Sequence, residues 1–239
     1  MSTFVLVHGA WHGGWCYKRV AVLLRKAGHE VYTPTLTGLG ERSHLMSPAV
    51  TLDTHIEDIV NVVRWEELSN IVLCGHSYGG MVITGVADRI PDKIHALVYL
   101  DAFVPNNGEA ATDRMEPGVR ASINDDVQQH GDGYLMSPIP AAVFNVNARD
   151  ASWVNQMCVK HPLKCFEQKI ALTGAFARVR KLSYVLATDW GAQLASPFPP
   201  IAEPLRHDPG WKVTDLKCGH DVMVDMPKET AEILIAAGA

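Results

Sequence analysis

The residues Gly75-His76-Ser77-Tyr78-Gly79 form a G-x-S-x-G pattern, which presents a serine hydroxyl for attack when it turns sharply from a strand into a helix. A serine hydroxyl is a weak nucleophile near neutral pH, so an imidazole with a pKa of about 6.5 has to take its proton. Among eleven histidines, His220 is the one that follows the last predicted strand, in the loop Cys218-Gly219-His220. His76 lies inside the pattern beside the serine and reads as a packing residue. Attack on an acyl carbon also places negative charge on a carbonyl oxygen, which needs fixed donors. The N–H of Tyr78, directly after the serine, supplies one. The loop His8-Gly9-Ala10-Trp11 offers the other through the N–H of Ala10, and Gly9 suits a backbone that approaches a substrate closely.

Other chemistries find less support. His8 and His12 could suggest a metal pair, but they straddle Gly9 in a loop and no third ligand stands near them. No metal and no cofactor are expected. The five cysteines, Cys16, Cys74, Cys158, Cys165 and Cys218, lack CxxC spacing, and their odd number leaves at least one unpaired in a monomer. Cys158 and Cys165 are close enough in sequence for a loop-closing bridge, yet nothing around them demands one. Buried free thiols in a reducing compartment are the simpler reading.

The elements that must position Ser77 and His220 alternate in period. Phe4 to Val7 is a short apolar run, read as a strand buried on both faces. Val20 to Lys26 gives a helical pattern closed by Gly28, and His29 to Thr33 a second strand stopped by Pro34. After the glycine-punctuated loop TLTGLGER, Leu52, Ile56, Ile59, Val60 and Val63 recur at helical spacing, with Thr51 or Asp53 as N-cap. Asn70 to Cys74 is a buried strand, Met81 to Ile90 a helix, and Ile94 to Leu100 a strand ending on Asp101. Such alternation indicates parallel strands joined by helical crossovers. Regularity stops after Phe103. Residues 105–179, rich in Pro, Gly, Asn and Met, are too long for a plain connection and read as an inserted cap, with 1–104 and 180–239 as the core. Strands at Leu182 to Thr188 and Trp211 to Leu216, a helical segment near Phe198 to Arg206, and a helix from Pro227 to Ala237 complete the chain.

At 239 residues with 47% hydrophobic content, the chain can bury one large core. Its 21 Lys and Arg against 26 Asp and Glu give a net charge of -5 without a basic block, which argues against nucleic acid as partner. No apolar run reaches the roughly 18 to 20 residues that cross a bilayer, and FVLVHG follows the first residues without a charged leader segment. A soluble, cytoplasmic protein acting on a small molecule is the expectation. Monomer and homo-oligomer both stay open.

The segments FVLVHGAWHGGWCY, GHEVYTPTLTGLG, GHSYGGM and CGHD resemble the α/β-hydrolase superfamily over nearly the whole chain, and within it the branch of plant methyl esterases and hydroxynitrile lyases with their bacterial esterase relatives. The resemblance implies an α/β-hydrolase fold: a mostly parallel sheet of about six strands flanked by helices, with a helical cap over the site. It also implies a cofactor-free Ser-His-Asp enzyme with Ala10 and Tyr78 as the oxyanion hole. Cyanohydrin-cleaving members of that branch carry a threonine after the first-strand histidine and a lysine after the catalytic histidine. Gly9 and Asp221 stand at those positions, so the departure argues for hydrolysis.

The acid departs from the family pattern too. Its usual place after the penultimate strand falls on Trp190, with Asp189 one residue early. A second location known in the superfamily is the end of the strand after the nucleophile helix, where Asp101 follows IHALVYL. A carboxylate at the mouth of a buried strand needs a partner, and an imidazole N–H is a natural one. Asp101 is therefore preferred, with Asp189 the alternative; Asp221 adjoins His220 in sequence and is poorly placed to reach its ring. The expected reaction is hydrolysis of a small, largely apolar carboxylic ester, in a pocket shaped by Trp11, Trp15, Phe103 and Trp153. Carbamates and lactones use the same machinery and form the runner-up. A non-catalytic ligand-binding member of the fold is the rival from another class.

Overall fold

In the computed structural model, which describes residues 1–239, the apolar runs become strands β1 (Thr3–Val7), β2 (Glu30–Tyr32), β3 (Ile71–His76), β4 (Ile94–Leu100), β5 (Leu135–Met136), β6 (His161–Pro162), β7 (Lys181–Ala187) and β8 (Trp211–Leu216). Six of them build one sheet in the order β2-β1-β3-β4-β7-β8, and every neighbouring pair in it is parallel. β3 is buried at each of its positions and β4 at all but His95, as expected of strands covered by helices on both faces.

The helices are α1 (Lys18–Lys26), α2 (Leu52–Trp65), α3 (Gly79–Arg89), α4 (Pro117–His130), α5 (Ala151–Met157), α6 (Lys164–Glu167), α7 (Pro199–Arg206), α8 (Val222–Asp225) and α9 (Pro227–Ala237). α2 begins where Thr51 caps it, its hydroxyl accepting the N–H of Thr54, and buries Leu52, Ile56, Ile59 and Val63. α1 buries Val20, Ala21 and Leu24 and ends in Arg25 and Lys26, cations that suit a helix C-terminus. No helix is long and apolar enough to cross a membrane.

From β1 the chain runs outward to β2 and then returns to the other side of β1 for β3. The crevice at the carboxyl ends of β1 and β3 is thus a topological switch point, where open α/β sheets bind ligands. The loop His8–Trp11 leaves β1 there, and Ser77 follows β3.

Residues 105–179 are not purely helical. Alongside α4, α5 and α6 they hold the antiparallel pair β5 and β6, in which Leu135 faces Pro162 and Met136 faces His161. Gly131 makes this possible by ending α4 where a Cβ would strike the Leu135 carbonyl. This segment shares the main core: Val127, Met136, Phe144, Val154 and Phe166 join the cluster of 63 buried residues that includes the central strands. It is also tied to α1 by Arg19, whose guanidinium donates to both carboxylate oxygens of Asp150 at 2.7 and 2.6 Å.

Candidate active site

Ser77 has φ of 54°, a left-handed conformation that a non-glycine residue holds only when its surroundings enforce it. Its N–H donates to Leu100 at 3.2 Å, and its carbonyl accepts from Gly80 at 3.0 Å and Phe103 at 3.2 Å. The sharp turn brings the start of α3 against the end of β1. Glycine is required at position 79, since a Cβ there would lie 2.8 Å from the carbonyl oxygens of Val7 and His8. The loop after β1 comes equally close: a Cβ on Gly9 would lie 2.9 Å from the Ser77 Cβ and 2.7 Å from His76 Nδ1. Neither the Ala10 nor the Tyr78 N–H, which flank the serine from these two directions, is donated to an acceptor of the chain.

The ladder between β3 and β4 pairs His76 with Leu100, so continuing it by one residue sets Ser77 beside Asp101. Asp101 is fully buried, with φ of 43°. His220 Nδ1–H donates to its Oδ2 at 2.7 Å, Trp190 Nε1–H donates to the same oxygen at 2.6 Å, and the Ala187 N–H donates to Oδ1 at 3.1 Å. Burial pushes the Asp101 carboxyl well above its usual range, while the Trp190 and Ala187 donors oppose that by stabilising the anion. Burial likewise pushes the His220 imidazole below an ordinary histidine, against the attraction of Asp221. With Nδ1 committed to Asp101, Nε2 carries the lone pair.

Asp189, the alternative acid, is not brought to His220. Its side chain is exposed, its N–H donates to Cys218 and its carbonyl accepts from Asn145. The next residue turns inward instead, and Trp190 occupies the space against His220, with ring centroids 4.4 Å apart. The loop carrying His220 is held from residues 105–179, since the His220 N–H donates to the Phe144 carbonyl at 2.9 Å.

Ser77 and His220 open onto one cavity of about 220 Å³, walled chiefly by Trp11, Phe103, Met136, Phe144, Trp190 and Phe198. Trp11 and Phe103, two of the four expected pocket residues, line this cavity. Trp15 and Trp153 do not. Trp15 lies in the 3₁₀ turn Gly14–Tyr17, stacks on His12 at 5.1 Å and meets the edge of Trp153 at 5.0 Å. Trp153 carries the Arg19 guanidinium 5.4 Å above its ring. Both tryptophans are spent joining α1 to α5, which leaves neither for the cavity. Among the walls that sequence reasoning missed, Trp190, Leu194 and Phe198 lie between β7 and α7, where no periodicity marks which apolar side chains turn inward.

The model of the alpha/beta hydrolase family matches residues 4–233, and the chain belongs to that family. It is 49% identical over 248 residues to a carbendazim hydrolyzing esterase from Nocardioides sp. (strain SG-4G), with 100% of each chain covered. It is also 36% identical to Methylesterase 2 of Arabidopsis thaliana over 107 residues, 43% of this chain and 40% of that protein. Among solved structures, an extracellular α/β-hydrolase from a Paenibacillus species, described as sharing structural and functional homology with tobacco Salicylic Acid Binding Protein 2, superimposes with a TM-score of 0.86. That match has 26% identity and covers 100% of this chain and 99% of the other.

Proposed function

We propose that this carboxylic ester hydrolase cleaves small, largely apolar esters through an acyl-enzyme on Ser77. The serine hydroxyl attacks the ester carbonyl while His220 Nε2 takes its proton. Asp101 holds the Nδ1–H and stabilises the imidazolium that forms. The Ala10 and Tyr78 amides, together with the positive end of α3, hold the oxyanion. Collapse expels the alcohol, which takes the proton from His220, and water then releases the acyl group by the same steps in reverse order.

The observation that carries this reading is the 2.7 Å bond between His220 and a fully buried Asp101, at a cavity that Ser77 shares. The cavity, about 220 Å³ with walls mainly apolar, lies below the roughly 300 Å³ at which pockets for drug-sized ligands begin, so it suits a small substrate. Residues 105–179 serve as its lid, supported by Met136, Phe144 and Phe166 among the lining residues. Five free cysteines accord with a cytoplasmic setting.

Turnover of p-nitrophenyl acetate by wild type and its loss in Ser77→Ala test the reading; equal rates in the two proteins would end it and leave a ligand-binding role. Carbamate hydrolysis is the second reading, favoured by the relative named for hydrolysing carbendazim. Comparing kcat/KM for carbendazim with that for simple aryl and methyl esters decides between them. Lyase chemistry is disfavoured because the residue after His220 is an aspartate engaged with His12, so the lysine that would handle a cyanide leaving group is absent.

A further inference from the structure

His12 and Asp221 form an ion pair sealed from solvent, with Nε2 and Oδ2 3.1 Å apart and side chains 4% and 0% exposed. The other ring nitrogen of His12, Nδ1, meets the carbonyl of Ala10 at 2.6 Å. A carboxylate and a carbonyl can only accept, so both ring nitrogens must donate and His12 is an imidazolium. Burial alone would strip that proton, but the charge of Asp221 and the hydrogen bonds to Asp221 and to the Ala10 carbonyl together outweigh burial and hold His12 above an ordinary histidine. Burial would raise the Asp221 carboxyl in turn, and the charge and hydrogen bond of His12, helped by His76 and His220, keep it well below the usual range.

This pair joins the two loops that the reaction uses. His12 grips the carbonyl of Ala10. Asp221 follows the base, with a carboxylate oxygen within 4.8 Å of a His220 ring nitrogen. Neighbouring histidines fix the rest of the Ala10 loop. His8 Nδ1–H donates to the Gly9 carbonyl at 2.8 Å while its Nε2 accepts from Leu36 at 3.1 Å, and His161 Nδ1 accepts from the Trp11 N–H at 3.4 Å. The Ala10 N–H is left without an acceptor. On the other side, His76 Nε2–H donates to the His220 carbonyl at 3.0 Å and lies 3.8 Å from Asp221 Oδ1.

We propose that the buried His12–Asp221 pair is a positioning device for acyl transfer, its cation fixing the oxyanion loop and its anion favouring the imidazolium of His220. The inference rests on the roles given above to Ala10 and His220. In the transition state, negative charge grows at the Ala10 amide and positive charge on the His220 ring. The pair has its positive end against the Ala10 carbonyl, in the loop of the first, while at the His220 ring the attraction of Asp221 exceeds the opposing charge of His12. Fixed charges of that orientation lower the barrier because they need no reorganisation as the reaction proceeds.

Three measurements test this. The ¹⁵N shifts of the His12 ring in wild type should report both nitrogens protonated across pH 6 to 8; a singly protonated ring overturns the proposal whatever the kinetics. Asp221→Asn should lower kcat on the order of tenfold to a hundredfold, as loss of an orienting partner does at other sites, with KM little changed. A boronic acid that mimics the tetrahedral intermediate should bind more weakly in the same proportion. An undiminished kcat, or a loss confined to KM, overturns it. Should the single variant fail to fold, His12→Gln/Asp221→Asn removes both charges together and should give the same fall in kcat in a folded protein; wild-type kcat in the double variant overturns the proposal. Failure of the underlying catalytic reading would show separately, as activity surviving in Ser77→Ala.

Discussion

Trp190 donates its indole N–H to Asp101 at 2.6 Å, on the same carboxylate oxygen that receives the His220 Nδ1–H at 2.7 Å. Trp190→Phe keeps an aromatic wall and removes the donor. A carboxylate with fewer donors holds its negative charge less well, so the Asp101–His220 unit binds a proton more readily. The acid limb of the kcat/KM profile should therefore move to higher pH by about one unit, the scale of one hydrogen bond to a charged group. A profile that overlays wild type would assign Trp190 to packing alone.

Asp101→Asn should cost roughly ten-thousandfold in kcat, since an amide cannot hold the imidazole in the tautomer that the serine needs. Asp189→Asn should leave the rate near wild type because its exposed side chain touches neither Ser77 nor His220. Steady-state kinetics of the two variants settle the acid, and the opposite pattern would return it to position 189.

The contrast between positions 101 and 189 also marks what the sequence could reveal. The meeting of Ser77 and His220 at one cavity, and the strands around them, were legible because a serine-hydrolase reading asks for particular residue types at turns that leave sharp local signals. The pattern G-x-S-x-G between an apolar run and a helical one is such a signal. Asp101 was legible only as a preference, because which carboxylate meets an imidazole depends on the side-by-side placement of β4 and β7, a long-range fact. Trp15 and Trp153 misled for the same reason: an aromatic residue near a motif can pack on either side of its loop, and composition does not say which. The pairing of His12 with Asp221, 3.1 Å apart at opposite ends of the chain, left no local trace at all.

Gly9→Ala should abolish most activity with little loss of secondary structure. The added methyl would meet Ser77 Cβ at 2.9 Å and His76 Nδ1 at 2.7 Å, so the loop carrying Ala10 must withdraw from the nucleophile. Burst-phase acylation with p-nitrophenyl acetate would reveal the defect in the first chemical step, and a normal burst would mean that the loop accommodates the methyl.

Asp150 is held well below the usual carboxylate range by the hydrogen bonds and charge of Arg19. A carboxyl depressed in the folded state contributes stability above its unfolded pKa of about 3.9 and loses it as pH falls through the folded value. Arg19→Met should thus lower stability by about 1 kcal/mol near neutrality, a figure discounted because the Arg19 side chain is 39% exposed. Thermal melts at falling pH should show the gap between variant and wild type closing below about pH 4. A gap independent of pH would assign the loss to packing on Trp153.

Burial pushes the thiols of Cys74, Cys165 and Cys218 up to about 12, so none is a thiolate at neutral pH. The native enzyme should keep full activity after iodoacetamide at pH 8, while the denatured chain is alkylated at all its cysteines. Inactivation of the native enzyme by the reagent would implicate a cysteine in turnover.

One side chain, that of Trp190, both shapes the cavity and grips Asp101. Making room for bulkier molecules by trimming position 190 would consequently trade speed for space. Selection for larger substrates should spare it and accumulate changes at Val119, Ile123 and Leu194, which line the same cavity and are not among the hydrogen-bond partners of Asp101 or His220. Breadth of diet and rate of turnover are thereby coupled at one position and free to diverge at the others.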